Sequence, residues 1–446
     1  MMRGDQKTPP PPPLPEQLLV CFISTFPNVQ PTSTCSWGRY QQDIDATLVF
    51  YTIDMVNAKP PSIATIKAWQ TTSPRYESAT RLARVLYSLG LFSIQLPLIG
   101  LDLLLGTTLY GRHSWDFKFR SLRLLASYII WSLNPGTRPR DDVLSYSARK
   151  DPGKLSKDRN ASLIDVPPRP DKWFGDAIHS NIVPEQCPCF WQWLSSMPSP
   201  LTDSTPSAER KLMMYFVGGG MVQGHPTASP LPWNVIEMTK VPIFGVNFRK
   251  CVIAKTAFPA ALQDAVAAYC YLLDQGFSPE NICVMGDSGG GGIAVTLLLY
   301  LRRHQFAMPG SSILVSPFVD LVDDFTGNKE FLNLDMLNPE MCGMVQYQYT
   351  ENRPDLRSTL LSPARGELPE GYTFQDFSRT LMSYGDVELF APGILKLVEN
   401  LRKGGVEVEL DVGRDQIHDY PCYTKDRSPD GFYGRLKPFL DGDGRY

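Results

Sequence analysis

The chain has 446 residues, of which 43% are hydrophobic and 20% charged, with a formal net charge of −3. That length accommodates one large α/β unit with attachments, and so even a charge balance gives no basic field for a nucleic-acid partner. Nine cysteines in so long a chain do not make a disulfide framework, and the one close pair, Cys187-Pro188-Cys189, lacks a second pair at ligand spacing, so no metal is expected.

Residues 1–73 contain the tract Pro9 to Pro13 and no sustained period after it, which reads as a flexible Pro-rich extension. The apolar patch Leu18 to Ile23 is too short for a signal-peptide core. Residues 74–133 form an apolar segment. Within it Val85 to Leu101 carries no charge and approaches the roughly 17-residue lower limit for a membrane span. Gln95, Pro97 and Asp102 weaken it, and the alternative is a buried or interfacial helix pair lying over the domain that follows. Arg75, Arg81 and Arg84 on one side balance Arg112, Lys118 and Arg120 on the other, so membrane orientation stays open. Leu122 to Leu133 is a second apolar run, too short to span. Residues 134–210, rich in proline, serine and charge, read as an irregular entry segment, with Phe190-Trp191-Gln192-Trp193 as packing aromatics.

A regular domain is expected over residues 211–446. Strand character appears at Leu212 to Val217, Ile243 to Asn247, Ile282 to Met285, Ile313 to Val315, Thr380 to Tyr384 and Val406 to Val412. Helical patterns fall between, at Pro259 to Gln275, Gly289 to His304 and Pro392 to Lys403, with Pro near their starts or Gly after their ends in two of the three. Such alternation predicts a mostly parallel, doubly wound sheet covered on both faces. Ligands bind such sheets at the carboxyl ends of the strands.

The stretch Gly286-Asp287-Ser288-Gly289-Gly290 sits between a strand and a helix, where a G-x-S-x-G nucleophile belongs. Gly286 and Gly290 remove the Cβ atoms that would collide around a strained serine. Gly289 offers an N–H beside the hydroxyl, at the positive end of the following helix. After the first strand, Gly218-Gly219-Gly220 leaves further N–H groups open to an oxyanion. Proteins built on this elbow order their triad as Ser, acid, His. Of His113, His179, His225, His304 and His418, only the last two follow Ser288. His304 lies over roughly 20 Å away, at the far end of the elbow helix, which leaves His418 as the base. Asp386 and Glu388 both lie just past a strand end and are both eligible as the acid.

Taken together, Gly218-Gly219-Gly220, Asn247-Phe248-Arg249, Phe258 to Asp264, Gly286 to Gly290, Ser316-Pro317-Phe318-Val319-Asp320 and His418 resemble the hormone-sensitive-lipase branch of the α/β hydrolases. Within that branch the sequence is similar to fungal steryl acetyl hydrolases and related esterases. The resemblance covers about Trp173 to the C-terminus, with weaker likeness from Val85. It implies an α/β-hydrolase fold with eight core strands and a helical lid, no cofactor, and hydrolysis of acetyl or short acyl esters of apolar alcohols. Ser288, His418 and an acid would form the triad, and Gly219, Gly220 and Gly289 the oxyanion hole. The family register, with Gly385 as the small residue and Phe390 as the apolar anchor, places the acid at Glu388 and leaves Asp386 as the alternative. Membrane association, at the endoplasmic reticulum, follows if Val85 to Leu101 is an anchor, and a cytoplasmic location if it is lid. Two departures stand out: Val217 replaces the usual His before the three glycines, and Gly289 replaces the usual Ala, the latter a mild change. The competing reading is a non-catalytic ligand-binding relative; such relatives lose the base, and here His418 is present.

Overall fold

The computed structural model describes residues 74–132 and 149–442, apart from 329, 333, 352, 358 and 359. The extension expected over residues 1–73 lies outside them. Helices α1 (Pro74–Leu104) and α2 (Phe117–Ser132) precede the sheet. Then follow β1 (Arg159–Val166), β2 (Cys187–Leu194), β3 (Leu212–Phe216), α3 (Pro230–Thr239), β4 (Ile243–Val246), α4 (Ala260–Asp274), β5 (Ile282–Asp287) and α5 (Ser288–Arg303). The chain continues through β6 (Ser311–Val315), α6 (Pro339–Thr350), β7 (Arg379–Gly385), α7 (Ala391–Lys403), β8 (Val408–Gly413) and α8 (Phe432–Asp441).

These strands form one eight-stranded sheet in the order β1-β2-β4-β3-β5-β6-β7-β8. Pairings from β4 through β8 are parallel, and the inner strands β2 to β7 are buried almost throughout because helices cover both faces, while the edge strands β1 and β8 are half-buried. The elbow strand β5 lies in the middle, between β3 and β6. Every strand and helix expected in the regular domain is present, with ends displaced by a few residues at most.

The entry segment is the correction. Residues 159–166 and 187–194, expected to be irregular, are β1 and β2, paired antiparallel to each other and, through β2, to β4. The sheet therefore begins at Arg159 rather than near residue 211. Pro188 disguised β2, since proline is excluded from the middle of a ladder. It is tolerated because the pairing with β4 starts one residue later, at Cys189. The aromatics of this strand are core: Phe190 and Trp191 are buried, and Trp191 lies 4.9 Å from Phe244 of β4.

Two of the motif stretches are structural joints. The Arg249 guanidinium donates to both Asp264 carboxylate oxygens at 3.0 and 3.1 Å, and both residues are buried, so removing either would strand a charge in the core. Asp320 pairs with Arg365 at 2.9 Å.

The apolar segment forms a hairpin of α1 on α2. Ile99 of α1 packs with Leu124 and Tyr128 of α2, and the Tyr128 hydroxyl donates to Gln95 at 2.6 Å. Asp102, a charge inside an otherwise apolar run, is buried in an ion pair with Arg120. The opposite side of α1 carries Leu86, Ile94, Leu98, Leu101 and Leu104, all exposed, Ile94 by 65% and Leu104 by 86%. Val85–Leu104 is, by length and composition, the one described helix able to cross a membrane.

Candidate active site

Ser288 follows β5 and opens α5 with a φ of 49°, the left-handed region that costs a non-glycine residue free energy and is retained where neighbours enforce it. Glycine provides the room: a Cβ on Gly286 would lie 2.5 Å from the Gly290 carbonyl oxygen. One on Gly291 would meet Pro317 at 2.7 Å. The elbow is also tied from outside, as Phe318 donates its N–H to the Ser288 carbonyl at 2.9 Å.

His418 is brought to the serine by the loop after β8. Its Nε2 lies 2.8 Å from Ser288 Oγ, within proton-transfer distance. Burial pushes the imidazole down to about 3, so it is neutral and ready to accept a proton. The Phe390 ring meets it edge-on at 4.9 Å. Its other nitrogen, Nδ1, faces Glu388 Oε2 at 3.9 Å, and both Nδ1 and Glu388 Oε1 are buried without a hydrogen-bond partner. Glu388 is fully buried. Burial and the nearby Asp335 hold its carboxyl well above the usual range, opposed by hydrogen bonds from Ser316 Oγ at 2.7 Å and the Gly385 N–H at 3.1 Å.

Asp386 points elsewhere. Its Oδ1 accepts the N–H of Asp415 at 2.7 Å, tying down the loop that carries His418. His304 ends α5, its ring 4.4 Å from that of Tyr300 and tilted by 50° to it.

Gly219 and Gly220 line the same cavity as Ser288 and His418, with φ of 104° and 61°, conformations open to glycine at little cost. Two N–H groups, of Val222 and Gln223, both donate to the Gly219 carbonyl at 3.2 Å. Gly218 lies against the Asp287 carboxylate, whose Oδ1 also accepts the Tyr215 hydroxyl at 2.6 Å. The loop is thus held without an imidazole at position 217, where the valine is buried. The change at Gly289, expected to be mild, is not: a Cβ there would stand 2.6 Å from the Met221 nitrogen and 2.9 Å from Gly220 Cα. Here the glycine loop lies too close to the helix start for an alanine.

Two site residues carried no sequence signal. Buried Asp335 accepts the N–H groups of His418 at 3.1 Å, Met336 at 2.7 Å and Leu389 at 2.7 Å, joining the histidine loop to the residue after Glu388. Asp419 lines the cavity with Oδ2 3.3 Å from His418 Nε2. A lone aspartate in a loop gives no pattern to read in either case. Ser316, quoted within a motif, bridges the two loops by also accepting the Asp419 N–H at 3.0 Å.

The cavity measures about 120 Å³ and is walled by apolar side chains, among them Phe318, Leu337, Met341 and Val345, with Ile130 of α2. The stretch between β6 and β7, from Phe318 to Val345, supplies most of this apolar wall. Among the described residues, Asp287, Asp419 and Cys422 are the one group whose donor atoms lie close enough, within 4.8 Å of one another, to share a metal ion. Asp287 is already engaged by Tyr215.

Residues 213–422 match a family model described as the alpha/beta hydrolase fold. An acetyl-hydrolase of Streptomyces hygroscopicus is 26% identical over 216 residues, 48% of this chain and 69% of that protein. Hormone-sensitive lipase of Mus musculus is 27% identical over 135 residues, 29% of this chain but 18% of that longer protein. The crystal structure of an esterase from the bacterial hormone-sensitive lipase family superposes with a TM-score of 0.50 at 22% identity, covering 77% of this chain and 96% of that one. That likeness speaks for the fold.

Proposed function

With a catalytic domain in the hormone-sensitive-lipase branch of the α/β hydrolases, and carboxylic ester hydrolysis as its family-level activity, we propose that this chain is a serine esterase working through Ser288, His418 and Glu388. The observation that carries the reading is the 2.8 Å approach of His418 Nε2 to Ser288 Oγ, with buried Glu388 on the Nδ1 side. Ser288 Oγ attacks the ester carbonyl while its proton passes to His418 Nε2. The N–H groups of Gly219, Gly220 and Gly289 receive the oxyanion. His418 returns the proton to the departing alcohol, leaving an acyl-enzyme. Water, deprotonated by the same imidazole, then releases the acid and restores Ser288.

The substrates are acetyl or short acyl esters of apolar, sterol-like alcohols. A small cavity with apolar walls supports a short acyl group, and the relatives include an acetyl-hydrolase. The exposed apolar side of α1 supports membrane association: Val85–Leu104 at roughly 1.5 Å per residue matches a hydrocarbon core of about 30 Å. Hydrolysis of p-nitrophenyl esters of increasing chain length tests the acyl preference, with acetyl and butyryl favoured over octanoyl by at least about tenfold in kcat/KM. A folded protein that turns over none of them would favour the ligand-binding reading. Sedimentation with phosphatidylcholine vesicles tests the membrane contact; protein left entirely in the supernatant would reject it.

A further inference from the structure

The connector between α1 and α2 reaches into the catalytic machinery. Asp415, three residues before His418, is gripped by it at three points. Its carbonyl oxygen accepts the Trp115 indole Nε1–H at 2.7 Å. Its carboxylate accepts the Ser114 hydroxyl at 2.7 Å and lies 3.8 Å from the Arg112 guanidinium. Asp386 holds the N–H of the same residue from the other side. The buried Trp115 ring belongs to one apolar cluster with Val387, the residue before Glu388, and Ile417, the residue before His418. One indole therefore spans the two loops that carry the base and the acid.

The connector is itself built to present that ring. The Arg120 guanidinium, paired with buried Asp102, donates to the carbonyls of Trp115 at 3.0 Å and Arg112 at 2.6 Å. Asp102 in turn accepts the N–H groups of Leu109 at 3.0 Å and Tyr110 at 3.1 Å. Gly111 leaves space for the indole, since a Cβ there would lie 2.5 Å from its ring. Such a network fixes a backbone shape that apolar packing alone would not specify. It also accounts for a charged residue near the end of the apolar helix.

We infer that Trp115 is a positioning residue for catalysis, setting the separation of His418 and Glu388 through Asp415, Ile417 and Val387. The inference rests on the esterase reading above. His418 Nδ1 and Glu388 Oε2 stand 3.9 Å apart, and an approach of about an ångström makes their hydrogen bond. A group that controls this spacing acts on kcat, because the imidazolium and the carboxylate attract each other in the transition state and not before it.

The test uses the full chain, with active sites counted by covalent labelling so that kcat refers to competent molecules alone. Trp115→Phe keeps a ring in the cluster and removes the Nε1–H donor. It should lower kcat by about tenfold, the worth of one buried hydrogen bond, with KM within about twofold. Ser114→Ala, at an exposed position, should lower kcat by about two- to threefold with unchanged thermal stability. Phe117→Ala, exposed on the same hairpin and outside the contact with Asp415, should leave kcat unchanged. Wild-type kcat per labelled site in both Trp115→Phe and Ser114→Ala, with only Tm or the labelled fraction reduced, would overturn the proposal and leave the connector a purely structural strut. Absence of turnover in the unmodified protein would instead strike the esterase reading.

Discussion

Replacing Glu388 by Gln tests whether the acid was read from the right register. The substitution keeps the shape and the acceptor for Ser316 and Gly385 but removes the charge that faces His418. At the 3.9 Å separation of Glu388 Oε2 from His418 Nδ1, a unit charge pair at an effective dielectric of about 20 is worth up to about 4 kcal/mol, an upper bound because burial of Glu388 favours its neutral carboxyl. That attraction exists only once His418 holds the Ser288 proton, so it falls on kcat as a loss of up to about a thousandfold. Asp386→Asn retains an acceptor for the Asp415 N–H and should cost less than about tenfold. Steady-state hydrolysis of p-nitrophenyl acetate, normalised to labelled active sites, measures both. If Asp386→Asn proves the more damaging, the acid lies at 386 and the geometric argument fails.

Gly289→Ala should lower kcat by at least about tenfold, because the new Cβ pushes Met221 and Gly220 and spoils the oxyanion donors; unchanged turnover would mean the loop yields freely. Burial of His418 places its imidazole at about 3, so the neutral base persists well below the ordinary value of about 6.5. The acid limb of kcat/KM should then fall below about pH 6, and a limb centred at the ordinary value would contradict that placement. The same shift has a sign for stability. Below about pH 6.5 the unfolded imidazole takes a proton that the folded one refuses until about pH 3, so folding stability declines as pH falls through that window, which equilibrium denaturant melts would register.

The catalytic domain was legible where period and punctuation coincide. Strands β3 to β8 are short apolar runs separated by helical patterns, and Ser288 with its glycines marks a strand-to-helix turn where a side chain sits at positive φ. His418 emerged because few histidines compete for its place. β1 and β2 were hidden for a physical reason: Pro188 argues against a strand until the register is known, and an edge strand such as β1 has no strong apolar pattern of its own. Asp335, Ser316 and Trp115 act through contacts between residues tens to hundreds of positions apart, and local sequence does not encode which loop a lone side chain will meet. Glu388 and Asp386 could not be separated by chemistry in one dimension. In three, one carboxylate faces the imidazole while the other holds a backbone N–H.

The central claim is that Ser288 is a nucleophile activated by His418. A fluorophosphonate probe followed by intact-mass analysis measures it directly. The account predicts a single adduct on the wild-type chain, none on Ser288→Ala, and labelling slowed by about a thousandfold or more in His418→Ala. An adduct retained in folded Ser288→Ala, or a folded wild type that takes no label, would contradict it.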